Sequence, residues 1–211
     1  MSDAVHVLAD RGRVATRALA VLRLHGQRGK AGLAPDFDLL ETLLSYVERT
    51  VRGVHYVQEE AHVAKPLEQA RPDLRLTLGR LRRDHVGAGG YCFRMREALA
   101  HWKKGWSKAI DMYLDNARDH HRLSATHGLL MRKTVLPAAE AALSPEHWRG
   151  LERVLASAPD PLSGCRARLA FEAAVGRMMG RECAAPAALD ADQGRRRPQS
   201  YPGRPTKETV L

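Results

Sequence analysis

Cysteine is scarce in this chain of 211 residues: Cys92, Cys165 and Cys183 are all it has. Three scattered thiols are too few for a disulfide framework or a thiolate zinc site. Aromatic content is low, at 5%, against an ordinary hydrophobic content of 44%. No apolar run approaches the ~20 residues needed to span a membrane, and no basic-then-apolar N-terminal signal appears. A reducing cytoplasm is therefore the expected compartment, with no membrane partner. Strand-type alternation, a glycine-rich phosphate loop and a nucleophile elbow are missing too, as is any repeat of 20–50 residues. No nucleophile–base pair is legible, so an enzyme with its own turnover is the least favoured class.

What the chain has in excess is positive charge, +10 net and mostly arginine. Such an excess favours anionic partners such as nucleic acid or acidic lipid. An arginine-rich codon bias would look the same, so a nucleic-acid partner is possible without being favoured.

Helical periodicity runs through most of the sequence. A first helix is expected over Val5 to Leu24, where Leu8, Val14 or Ala15, Ala18 or Leu19, and Leu22 recur at three-and-four spacing. Gly26 to Pro35 reads as a connection. Pro35-Asp36 opens a long second helix to about Gln69, with Pro66 near its end. The Arg71-Pro-Asp73 turn starts the third, whose stripe is Leu74, Leu78, Leu81, His85, Ala88, Cys92, Met95 and Leu99. Gly87-Ala-Gly-Gly90 breaks that stripe, each glycine costing about 1 kcal/mol relative to alanine, so a kink or loosened turn is expected there.

A fourth helix is expected from Trp106 to Leu143, with Ile110, Tyr113, Ala117, His120, Ser124, His127 and Met131 on one face and a bend near Pro137. Ser144-Pro-Glu146 caps a short fifth helix, and Pro161 to Met179 supplies a sixth. These elements predict an all-α protein, an up-down-up-down four-helix bundle with two short C-terminal helices spanning residues 1–184. Residues 185–211, with Arg195-Arg-Arg-Pro198, read as a disordered basic tail.

The chemistry concentrates on the second helix. His55 and Glu59, four residues apart, share one face, and that face is apolar: Leu40, Leu44, Val47 and Val51 lead into it. A buried imidazole and a buried carboxylate each need a partner, and a metal ion suits both. His55 lies about 14 residues before the end of its helix, His85 about 12 after the start of the third, and His127 about 16 before the end of the fourth; at ~1.5 Å per residue the three fall within about 6 Å of one level in an antiparallel bundle. Imidazole with carboxylate suits iron, manganese or zinc. Against this stands the plainer reading of a His55–Glu59 ion pair and of His85 and His127 as satisfied core histidines. His120 lies ~10 Å of rise from His127, too far to replace it. Met95 and Met131 are most simply packing, Cys92 a buried thiol, and Trp102, Trp106 and Trp148 closures of the helix ends.

Taken together, His55-x-x-x-Glu59, His85 after Leu-Arg-Arg-Asp84, His127 followed by Leu136-Pro-Ala-Ala-Glu140, and the Asp160-Pro-Leu-x-Gly164 turn resemble the bacterial hemerythrin-like (HHE cation-binding) domains over residues 5–180. The resemblance implies a four-helix bundle holding a non-haem di-iron pair for binding or sensing oxygen, nitric oxide or iron. Two positions depart from the family pattern. Gly12 stands where the family has a helix-one histidine, and Met131 stands where it has the glutamate four residues after the helix-four histidine. The ligand set left is His55, Glu59, His85 and His127, enough for one ion and thin for two. The alternative is a bundle that has dropped its metal and serves as a binding module for a protein or nucleic acid.

Overall fold

A computed structural model describes residues 2–158 and 160–162. The described chain is helical, with no strand among the described residues. Of the expected sixth helix only Pro161 and Leu162 are described; its remainder, the basic tail and the boundary between residues 184 and 185 lie outside the described residues. No helix among the described residues is long and apolar enough to cross a membrane.

Helix α1 spans Asp3–Lys30. The Ser2 hydroxyl caps it by accepting from the Ala4 amide at 3.2 Å, satisfying one of the orphan donors of a first turn. The helix runs six residues beyond the expected Leu24 end, straight through Gly26 and Gly29. Those glycines are packing positions and not loop residues. A Cβ at Gly26 would stand 2.8 Å from Leu114 Cδ2, and one at Gly29 would overlap the Trp102 ring. The turn comes later, at Gly32, where φ is +87°.

Helix α2, residues 37–70, is capped by the Asp36 carboxylate, which accepts from the Leu39 amide at 3.0 Å. Its course is not a regular α-helix. Two π-helical stretches, Val47–His55 and Glu60–Ala64, bracket one α-helical turn, Tyr56–Glu59. Helix α3 covers Arg75–Lys103 after a 3-10 turn at Pro72–Leu74. The loosened turn expected at Gly87–Gly90 is absent. The helix is unbroken there, and among the described glycines only Gly32 and Gly105 have positive φ. Packing supplies the reason: a Cβ at Gly89 would stand 2.8 Å from the Arg52 guanidinium, so this glycine admits a side chain from α2.

Helix α4, residues 109–142, carries a third π stretch at Met131–Val135. Its bend was expected at Pro137, and the irregularity lies just ahead of that residue. The π stretch Glu60–Ala64 likewise ends two residues before Pro66. A proline ring clashes with the carbonyl four residues earlier and donates no hydrogen bond, and a widened turn relieves both problems. Helix α5, Pro145–Ser157, begins as expected, with the Ser144 hydroxyl accepting from the His147 amide.

Burial divides the interior into two apolar clusters. One gathers Val14 to Leu22 of α1, Leu40 to Tyr56 of α2, Ala88 to Leu99 of α3, and Tyr113 and Ala117 of α4. The other joins Ala4, Val5 and Leu8 to Val63 and Leu67, Leu78 and Leu81, Met131 to Ala139, and the inner face of α5. On every long helix the residues between the two clusters include buried or half-buried polar ones: Arg11 on α1, Gln58 and Glu59 on α2, Asp84 and His85 on α3, and His120, Ser124 and His127 on α4. The interior is thus two hydrophobic blocks with a polar layer between them.

Candidate metal centre

Each side chain of the polar layer is placed by a stripe that is apolar on either side of it. On α2, Leu40, Leu44, Val47 and Val51 are all buried, and the same face continues into His55 at 2% and Glu59 at 4% exposure. The α-helical turn Tyr56–Glu59 keeps the four-residue spacing of the pair intact. His85 arrives from α3 and His127 from α4, on helices that pack extensively on one another.

Glu59 is the hub. Its Oε1 lies 3.1 Å from His55 Nε2. Its Oε2 accepts from His85 Nε2 at 3.2 Å and from His127 Nε2 at 3.1 Å. The four candidates read from the sequence therefore converge, three ring nitrogens on one carboxylate. Glu59, His85 and His127 form a group able to hold a metal ion, their ligand atoms all within 4.8 Å of one another. His55 stands outside that tight group, on the opposite carboxylate oxygen.

The electrostatics follow from this crowding. Burial disfavours the Glu59 carboxylate, yet the His55 and His127 rings outweigh burial and hold its pKa well below the ordinary value. His127 is the mirror case: burial opposes its charge, but Glu59 and Asp84 prevail and raise its pKa to about 9. Without a metal, the centre is a buried carboxylate sharing its charge with an imidazolium.

Two neighbours were not legible in the sequence. Asp84 Oδ2 stands 3.7 Å from His127 Nδ1, beyond hydrogen-bond distance. That oxygen and the Nδ1 atoms of His55 and His127 are buried with no hydrogen-bond partner among the described residues. Tyr56 stacks on His85 with ring centroids 4.1 Å apart and lies 5.3 Å from His127. Asp84 adjoins His85 and Tyr56 adjoins His55, and consecutive residues do not share a helix face, so periodicity assigned neither to the site. The adjacency itself was the available signal. The His85 ring, 16% exposed, is the one that reaches the surface.

The remaining sequence candidates lie elsewhere in the layer or the core. His120 is 1% exposed, its Nδ1 is 3.8 Å from Cys92 Sγ, and burial lowers its pKa to about 4. Cys92 is fully buried, and burial pushes its thiol up to about 12, which suits an inert packing residue. Met131 packs in the second apolar cluster. At Gly12 a Cβ would meet nothing within 4 Å. Its neighbour Arg11 enters the layer instead, donating to Gln58 Oε1 at 2.7 Å and to the carbonyls of Leu155 at 3.2 Å and Ala158 at 2.6 Å. Trp148 is buried on the inner face of α5, whereas Trp106 is 45% exposed.

No family model matches this chain, and no curated protein matches it. The functional reading rests on the centre itself.

Proposed function

We propose that this protein is a hemerythrin-like four-helix bundle, up-down-up-down in topology, that binds a non-haem metal ion of the iron type. His55, Glu59, His85 and His127 would hold the ion. The observation that carries this reading is the convergence of three imidazole Nε2 atoms from three helices on the single carboxylate of Glu59, between two apolar clusters. The donor chemistry fits, because neutral imidazole and carboxylate suit iron, manganese or zinc. The orphaned atoms fit as well. A ring that ligates through Nε2 keeps its Nδ1 hydrogen for a carboxylate behind it, and Asp84 stands behind His127.

A bound ion would supply a Lewis-acid or redox centre. Glu59 fixes the charge of the site, His55 and His127 bring buried donors, and His85 with Tyr56 forms the wall between the centre and solvent. The role proposed is binding or sensing of oxygen, nitric oxide or iron. With Gly12 and Met131 in place of two family ligands, one ion per chain is expected.

The test is elemental analysis of protein purified without added metal and after anaerobic iron loading, for the native chain and for His55→Ala and His127→Ala. About one ion per chain that falls in both variants is expected. Metal content unchanged in both variants would remove these ligands from the reading.

A second reading has one observation in its favour: the two carboxylate oxygens of Glu59 already lie 3.1–3.2 Å from the three imidazole Nε2 atoms. The protein would then be a metal-free bundle acting as a binding module. Its mark is a melting temperature indifferent to chelator, where a metal-holding protein loses stability by mass action.

A further inference from the structure

The exposed edge of His85 opens into a cleft of about 340 Å³ between α2 and α3. Arg52, Tyr56, Val57, Ala61 and Lys65 line it from α2 and His85 from α3. Its charge is unbalanced. The one carboxylate on the wall, Glu60, is held by Arg82 at 3.0 Å. Neither Arg52 nor Lys65 has a carboxylate within ion-pair distance among the described residues; the neighbouring carboxylate of Glu48 is engaged by Arg96.

Arg52 sits where the chain has made room for it. Gly89 lies one helical turn beyond His85, and a Cβ there would stand 2.8 Å from one guanidinium nitrogen and 3.2 Å from its central carbon. The glycine thus lets the guanidinium lie against the α3 backbone, one turn from the His85 ring. A planar guanidinium without a counter-charge is matched to a carboxylate or a phosphate, each of which takes two parallel N–H donors. The apolar walls, Tyr56, Val57 and Ala61, leave space for a small organic body beside the charged head.

We propose that this cleft is an oxyanion subsite in which Arg52 binds the carboxylate or phosphate group of a small ligand beside His85. Its role as the ligand pocket of the metal centre rests on the reading above; its existence does not. Lys65, at the far end of the cleft, adds to the attraction for an anion.

The metal-free full chain is titrated with inorganic phosphate and, separately, with acetate, following the His85 ring resonances by NMR. A saturable shift is expected with at least one of them, and the stronger binder names the head group. Arg52→Gln weakens that binding by about tenfold or more. Lys104→Gln, which removes an equal charge from an exposed site at the end of α3, leaves it unchanged. Gly89→Ala keeps the charge but displaces the guanidinium, and weakens binding as well. No saturable shift, or equal weakening by Arg52→Gln and Lys104→Gln, overturns the subsite. Iron titration of the same samples separates the two ideas. Anion binding that survives where iron fails to bind sinks the metal reading and leaves the subsite standing; iron binding without any anion response does the reverse.

Discussion

Arg11 and Glu59 are both charged, both 3–4% exposed and both in the polar layer, on helices that touch, yet they are held by opposite means. Arg11 is fastened by hydrogen bonds to the amide oxygen of Gln58 and the carbonyls that close α5, with the buried Asp160 carboxylate adding charge attraction. Its charge serves as a clamp joining α1, α2 and the end of α5. Glu59 is ringed by titratable donors, each with a second nitrogen, and two of those nitrogens are buried with no hydrogen-bond partner among the described residues. Equal burial therefore does not mean equal function. A buried charge satisfied by backbone is fixed in composition, whereas one satisfied by imidazoles can exchange protons for a cation.

The largest effect expected from breaking this contrast is at Arg11. Arg11→Ala strands Gln58 and two carbonyl groups in the layer, and chemical denaturation should show a loss of about 3 kcal/mol. Metal bound per folded chain should stay as in the native protein. If metal content falls along with stability, the two halves of the layer are one unit and the contrast fails.

Acidity should separate the halves next. The His127 pKa is raised from 6.5 to about 9 in the metal-free fold. Its stabilising contribution is therefore complete below pH 6.5 and is lost as pH climbs through 9, an effect of up to about 3 kcal/mol. Glu59, with its pKa depressed, contributes above pH 4.5 and loses that contribution as pH falls toward its folded value. Metal-free protein should thus be most stable between these limits, while metal affinity, needing neutral imidazole, should climb with pH toward 9. Equilibrium unfolding and metal titration across pH 5 to 9.5 would show the opposed slopes. Parallel slopes would mean His127 is not a ligand.

A smaller change sharpens the role of Asp84. Asp84→Asn removes the carboxylate behind His127 Nδ1, so the His127 pKa should drop and metal affinity should weaken by about tenfold. Ring NMR titration and a competition assay read the two effects, and an unmoved pKa would return Asp84 to mere proximity. The smallest effect belongs to His120, whose buried Nε2 has no partner among the described residues. His120→Leu should leave metal content untouched and hold or raise stability by about 1 kcal/mol.

Much of this was written in helical spacing. The stripe Leu40, Leu44, Val47, Val51, His55, Glu59 is buried as its period implied, and Ser144 caps α5 as its chemistry implied. The misreadings have one source. Gly26, Gly29 and Gly89 were taken as breaks because glycine is costly in an isolated helix, but each faces a bulky side chain of a neighbouring helix. That tertiary contact is invisible along the chain. The π stretches Glu60–Ala64 and Met131–Val135 escaped for a related reason, since the sequence shows Pro66 and Pro137 and not how the turn ahead of each will widen; Val47–His55 has no proline close after it to signal its widening.

Local pattern, then, determined that the described chain is helical, where most of its helices begin, and that His55, Glu59, His85 and His127 lie on inward faces, because a 3.6-residue period is a property of one stretch of sequence. Tertiary structure alone decided that His85 and His127 join the His55–Glu59 pair, that Asp84 and Tyr56 adjoin them, and that Arg52 has no counter-charge among the described residues beside Gly89. Those are distances between side chains of different helices, set by how the two apolar clusters pack, and no period along a single helix encodes them.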